Sequence, residues 1–319
     1  MIGAALASAL VVALGLTAGF QADAAAARAQ QHREQARALA GDDFEYLYDY
    51  RCTPQPRKNP ALRQAPPAPP PMQVTDNLYY VGGGDVASWA LRTSDGIILF
   101  DALNDADEAR SQIVGGLKTL GLDPHKVKYI VVMHGHGDHF GGAAYLQKTL
   151  GAKVWMGGPD WSYAAHYPVN VRLGKVVPGH DHDIVDGEKL TLGDTTISLY
   201  LTPGHTPGTV SAIIPTSVHG VPHLFGFWGG TGYPRDADTL ATYGDSLERF
   251  MRLAKEAGVD GIISNHPNTD DSLERMAAMR ADPAIANPYV IGADAAQRFF
   301  GVIKECALAG AEHMPAVTE

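Results

Sequence analysis

Cysteine is nearly absent: Cys52 and Cys306 are the two such residues among 319. Neither has a second Cys or a His at zinc-finger spacing, which excludes that kind of thiolate site. No Gly-x-Ser-x-Gly segment occurs, so the nucleophile elbow of a serine hydrolase is missing. Bases are scarcer than acids, 25 against 35, and a net charge of −10 argues against nucleic acid as the main partner. A membrane-length apolar run is lacking too: residues 4–20 are nearly all small or apolar, but that run is short for a span. With 45% apolar residues, 35 Gly and 21 Pro, neither disorder nor a coiled coil fits. What remains is a globular chain with room for one large α/β domain or two small ones.

The short apolar run reads as an export signal. Ala22-Asp23-Ala24 fits the small-x-small cleavage pattern, although Met1–Gly3 carries no Lys or Arg. A signal peptide over residues 1–24 places the mature protein in the periplasm or outside the cell, without stable membrane association. In that compartment a lone pair of cysteines predicts a Cys52–Cys306 disulfide tying the N-terminal lead-in to the last helix. Residues 25–73 form the lead-in: a helix over 25–40 with Gly41 as its cap, then a proline-rich extended strap over 53–72. The globular domain is expected from residue 74 to residue 319.

Against those absences stands one dense segment, HGHGDHFGG, residues 134–142. It holds His134, His136, Asp138 and His139 between a β-branched run (Val127–Met133) and a helical pattern (Phe140–Leu150). Gly135 and Gly137 alternate with the metal-type residues and permit a tight wrap. Imidazole nitrogens and a carboxylate oxygen suit Zn²⁺. Four such donors exceed what one catalytic zinc with an open position takes from a loop, so the segment predicts two ions.

Other residues gain meaning from that loop. Asp101 ends an apolar strand, Ile97–Phe100, and either caps the next segment or accepts a hydrogen bond from a metal-binding histidine. His205 lies in a rigid turn, TPGHTPG (202–208), at the end of an alternating strand. His266 sits at the C-terminal edge of another strand, where open α/β sheets place their chemistry. His180-Asp181-His182-Asp183 lacks the glycine-spaced context and reads as a solvated loop. Of the aromatics in residues 159–167, core packing is the expected role for most.

Together HGHGDH, the Gly-His-Thr-Pro-Gly turn and the late strand-end histidine resemble the metallo-β-lactamase superfamily, from about residue 74 to 308. The resemblance implies an α/β fold, an αββα sandwich of two mixed sheets face to face with helices outside. It implies two Zn²⁺, one held by His134, His136 and His205, the other by Asp138, His139 and His266. The chain looks most like the third subclass of class B β-lactamases and their close relatives. FGFWGGTGYP (225–234) offers neither the zinc-binding Cys of the first subclass nor the bridging Asp of glyoxalase II and many lactonases. The implied activity is hydrolysis of a small cyclic amide, above all a β-lactam, by a metal-bound hydroxide that Asp138 orients. Lactones, esters or thioesters are the alternative substrates. A di-iron redox member of the superfamily fits less well, for want of carboxylate ligands and a flavin domain. True lactamases of this subclass hold the drug's carboxylate with serines; here Gly230 and Thr231 occupy that loop, and Thr231 alone brings a hydroxyl. A serine at Gly229 or Gly230 is expected to restore the contact, provided the backbone has room for a Cβ.

Overall fold

Apolar residues fill both faces of the central strands, so those strands read as continuous hydrophobic runs rather than alternating ones. The computed structural model describes residues 23–52, 66–234 and 236–312. Residues 1–22 of the expected signal peptide and most of the proline-rich strap lie outside the described residues.

Twelve strands among the described residues form two sheets. Seven make the first: β1 (Met72–Gln73), β2 (Leu78–Tyr80), β3 (Trp89–Arg92), β4 (Ile97–Phe100), β5 (Val127–Val132), β6 (Lys153–Gly157) and β7 (His182–Ile184), in that order. It is antiparallel from β1 to β4 and parallel from β4 to β7. Five make the second: β8 (Glu188–Leu192), β9 (Thr195–Leu201), β10 (Val210–Val218), β11 (Val221–Trp228) and β12 (Gly261–Ser264). Here β11 and β12 are parallel and the other pairs antiparallel.

Three apolar layers hold the sandwich. Between the sheets, Trp89, Phe100, Val131 and Met133 meet Leu199, Ala212, Phe225 and Phe227. Because successive side chains point to opposite faces, Leu99, Ile130 and Val132 face outward to Ile113, Leu117 and Phe140 of the covering helices. On the far side, Trp228 and Ile262 lie under Leu247, Phe250 and Phe300 from the Ala237–Ala257 and Ala293–Ala311 helices. This is the αββα arrangement expected from the sequence.

The lead-in belongs to that outer layer. Residues 23–40 are helical, Gly41 follows with φ +52°, and Glu45–Cys52 is a second helix. Ala36, Phe44 and Leu47 pack with the C-terminal helix, and Cys52 is disulfide-bonded to Cys306 as expected.

Two expectations are corrected. The 180–183 cluster is solvated at His180, Asp181 and Asp183 but is a loop only in part: His182–Ile184 pairs with β6, His182 packs against Trp155 at 3.9 Å, and His180 stacks on Trp161 at 4.2 Å. Edge pairing and aromatic contact thus give order to the second half of an exposed polar segment. Of the three aromatics at 161–167, Trp161 is buried, while Tyr163 and Tyr167 stack on each other at 5.0 Å and line a cleft.

Candidate metal centre

β5 ends at Val132, and the segment behind it turns at once into a short helix, Gly137–Phe140. The turn is braced by side chains far away in sequence. Asp160 accepts the amide of Gly135 at 2.6 Å, the Thr206 hydroxyl at 2.6 Å and the Gly208 amide at 2.7 Å. Asn170 accepts from Gly137 N at 2.9 Å and donates to Gly135 O at 2.9 Å. Burial pushes the Asp160 carboxyl up to about 6, although all three of its hydrogen bonds pull the other way. One carboxylate therefore ties the 134–139 loop to the loop that carries His205. Sequence reading missed both braces; an acid in the first turn of the Gly158–His166 helix was the single available hint.

His134 and His139 are buried, whereas His136, Asp138, His205 and His266 are half-exposed. Each of four imidazoles has its Nδ1 engaged by an oxygen: His134 with Gly229 O (2.8 Å), His205 with Gly232 O (2.7 Å), His266 with Asp85 O (2.7 Å) and His139 with Asp101 Oδ2 (2.7 Å). A carbonyl only accepts, so each Nδ1 that faces one carries the proton. In a neutral ring the Nε2 is then a bare lone pair.

Asp101 bonds to His139, one of the candidate ligands, while the next helix is capped by Asp105. Asp101 is fully buried; Oδ2 accepts from His139 and Oδ1 from Met133 N at 2.7 Å. Its φ of +62° is a strained value for a non-glycine residue, of the kind that persists where the surroundings dictate it.

The donor set fits zinc, by three observations. First, His134 Nε2 and His205 Nε2 lie 3.1 Å apart. Burial lowers the pKa of both rings well below the ordinary range, so two lone pairs face each other, an arrangement a cation relieves. Second, His136 Nδ1 lies 3.0 Å from the same His205 nitrogen, and Tyr163 OH is 3.0 Å from His136 Nε2. Burial also lowers His136, to about 4. Third, His139 Nε2 is buried without a hydrogen-bond partner, 3.3 Å from Asp138 Oδ2. Burial disfavours charge on His139, but Asp138 and Asp101 outweigh it and push the imidazole up to about 10. A metal at Nε2 would take the place of a proton there. Burial likewise opposes ionisation of Asp138, and His139, His266 and His136 together overcome it and hold the carboxyl below its usual range.

Two close-set groups emerge, with ligand atoms within 4.8 Å of one another: His134, His136, His205, and His134, Asp138, His139. His266 stands at the edge of the second, its Nε2 3.8 Å from Asp138 Oδ2. Five of the six expected ligands are thus drawn together and the sixth lies beside them.

The substrate side differs from expectation. Thr231 is buried and its hydroxyl donates to Asn265 Oδ1 at 3.2 Å. Gly230 has no room for a side chain: a Cβ there would stand 2.7 Å from His205 Cβ. At Gly229 a Cβ would stand 1.8 Å from Val210 O, so serine replacement at either position meets protein rather than substrate. Beside His136 and His205 opens a cleft of about 660 Å³, with Tyr163, Tyr167 and Tyr233 in its walls. Among the described lining residues the charged ones are Asp236 and Asp238, with no Lys or Arg.

Comparison with known proteins agrees with the fold. The profile of the metallo-beta-lactamase superfamily matches residues 81–218. That segment, less than half of the chain, reads as a metallo-beta-lactamase superfamily domain. It is 30% identical over 172 residues to a hydroxyacylglutathione hydrolase of Anaeromyxobacter dehalogenans (strain 2CP-C), covering 53% of this chain and 59% of that one. The chain spans little more than half the length of the first curated relatives it matches. Among solved structures, BJP-1, a subclass B3 metallo-beta-lactamase of Bradyrhizobium japonicum, is similar with a TM-score of 0.62 and 26% identity, over 75% of this chain and 92% of that one. The native FEZ-1 metallo-beta-lactamase of Legionella gormanii shares the fold with a TM-score of 0.65 at 24% identity, over 74% of this chain and 94% of that one.

Proposed function

We propose that the protein is an exported dizinc hydrolase that opens cyclic amides, β-lactams first among them. The observation that carries this reading is the donor set: imidazoles with their Nδ1 atoms fixed by backbone and Asp101 oxygens, converging with Asp138 from loops of both sheets. That set contains no cysteine and no carboxylate besides Asp138 among the described residues, which favours the B3 type. Zinc, when bound, supplies an acidified water and a Lewis acid for the scissile carbonyl.

The chain's own residues have distinct duties. His134, His136 and His205 would hold one ion; Asp138, His139 and His266 the other. Asp138, half-exposed and kept ionised by its histidine neighbours, would also orient the attacking water and accept its proton. Tyr163, Tyr167 and Tyr233 wall the cleft and would exclude water around the acyl group. A carboxylate-holding hydroxyl is not presented by Thr231, so β-lactam turnover would be modest and limited by binding. Each missing hydrogen bond to a charged group costs about 1.5–3 kcal/mol, or roughly ten- to a hundredfold in affinity.

A second reading has its own support: hydrolysis of lactones, esters or thioesters. The hydroxyacylglutathione hydrolase relative favours it. One experiment separates the two. The zinc-loaded protein is assayed against penicillin, carbapenem, lactone and thioester panels, before and after chelation. Metal-dependent lactam opening supports the first reading. Fast lactone or thioester cleavage with no lactam turnover at high substrate promotes the second.

A further inference from the structure

The last turn of the Glu45–Cys52 helix, outside the matched superfamily segment, reaches the metal centre from behind. Cys52 is bonded to Cys306 of the C-terminal helix, with their Cα atoms 4.7 Å apart. Next to it, the Arg51 guanidinium lies 4.8 Å from the Tyr50 ring centre and 5.6 Å from that of Tyr233. Arg51 Nη2 donates to Thr269 Oγ1 at 2.5 Å, and Tyr50 OH accepts from Asn268 Nδ2 at 2.8 Å. One helical turn thus touches two loops, 229–234 and 265–270.

Those loops orient three of the candidate ligands. Gly229 and Gly232 supply the carbonyls that fix His134 and His205. Asn265 donates to Gly229 O at 2.7 Å, and His266 follows it directly. Gly232 packs hard against the ligand it orients, since a Cβ there would lie 2.6 Å from His205 Cε1. Its neighbour Tyr233 is pinned on the other side, its hydroxyl donating to Ile303 O at 3.0 Å. Arg51 closes this wedge. Among the described residues it has no carboxylate partner, and its Nε is buried without a hydrogen bond. A half-buried guanidinium without a counter-ion is a costly choice for packing alone. Its two aromatic faces and the Thr269 hydroxyl are what it gains in return.

We propose that Arg51 is a positioning residue of the metal centre. Fixed by the Cys52–Cys306 link, it holds Tyr233, and with it the Gly232 carbonyl on His205, while its Thr269 bond steadies the turn behind His266. This inference rests on the zinc-binding reading above.

The test uses the full-length oxidised protein and zinc affinity measured by competition with a chromophoric chelator. Substituting Co²⁺ gives an absorption spectrum that reports ligand geometry without reference to turnover. Arg51→Ala should weaken one of two zinc sites about tenfold, the lower end for groups that orient metal ligands, and alter the Co²⁺ spectrum. In a Tyr233→Ala background the same change should cost markedly less, because Arg51 acts largely through Tyr233. A lower melting temperature with unchanged zinc affinity and spectrum makes Arg51 merely structural and overturns the proposal. Should Arg51→Ala fail to fold, Arg51→Gln, which keeps the stem and a donor for Thr269, replaces it: weaker zinc binding with an altered spectrum supports the proposal, and unchanged binding overturns it. A wild type that binds no zinc overturns the metal reading and this inference together. Normal zinc binding by the Arg51 variants beside a zinc-binding wild type overturns this inference alone.

Discussion

Asp101 and Gly229 carry the sharpest expectations for single residues. Replacing Asp101 by Asn keeps an acceptor for Met133 N but presents an amide to His139 Nδ1, which then has no anion to hold it. Zinc affinity should fall about ten- to a hundredfold, measured by chelator competition, with the far-UV spectrum intact. Gly229→Ser is expected to destabilise by at least about 2 kcal/mol in denaturant unfolding, because its Cβ meets the Val210 carbonyl, which cannot move without breaking β10. The histidines themselves were legible in the sequence because glycine spacing and the strand-to-helix context mark them. Asp160, Asn170 and Asn265 were not. Each is a single polar residue acting on the backbone of a loop 25 to 36 positions away, and no local pattern encodes such a contact.

Elements differ in how openly they announce themselves. The Ile97–Phe100 strand and the long Ala237–Ala257 helix follow directly from apolar runs and apolar spacing. The Ser272–Ala281 helix went unread because only Ser272 and Met276 are buried along it, too few to set a period. Likewise β7 is three residues long and polar at two of them, so only its pairing with β6 defines it. The helix after Asp105 passes through a wider π-type segment, Ala109–Val114, which shifts its phase in mid-course. The Pro267–Asp270 helix behind His266 offers a pH test. Burial raises the Asp270 carboxyl from 3.8 to about 7, and one of its oxygens has no hydrogen-bond partner. Between those two pH values the folded state holds a proton that the unfolded state has released, so wild type loses stability as pH rises across that window. Above about 7 the loss is complete and constant. Asp270→Asn should lack it. The unfolding free energy of the variant relative to wild type should therefore rise from pH 4 to pH 7 and then level off, a trend absent if Asp270 ionises normally.

At the scale of the whole molecule, the disulfide is the tie whose removal is simplest to measure. Cys52 and Cys306 are 254 positions apart in sequence, so reduction frees a very large loop. Cys52→Ser with Cys306→Ser should cost about 2–4 kcal/mol of stability, and the native protein should show no reactive thiol without reductant. Detection of two free thiols refutes the pairing in solution. This link was legible from the cysteine count, since two cysteines allow one pairing. That the lead-in helices are part of a core layer was not, because their contacts are with the Ala293–Ala311 helix at the other end of the chain.

The strands sort cleanly along the chain: those of the first sheet end at Ile184 and those of the second begin at Glu188. The candidate ligands are divided the same way, His134 to His139 before that crossing and His205 and His266 after it. The crossing itself, residues 185–187, is exposed. A protease cut there would yield two polypeptides, one bearing Cys52 and the other Cys306, still joined covalently by their sulfurs. Neither piece alone could complete the ligand set. Zinc uptake by the nicked protein, once reduced, separated and re-mixed, would then act as a latch sensor, registering whether two half-sandwiches have found each other again.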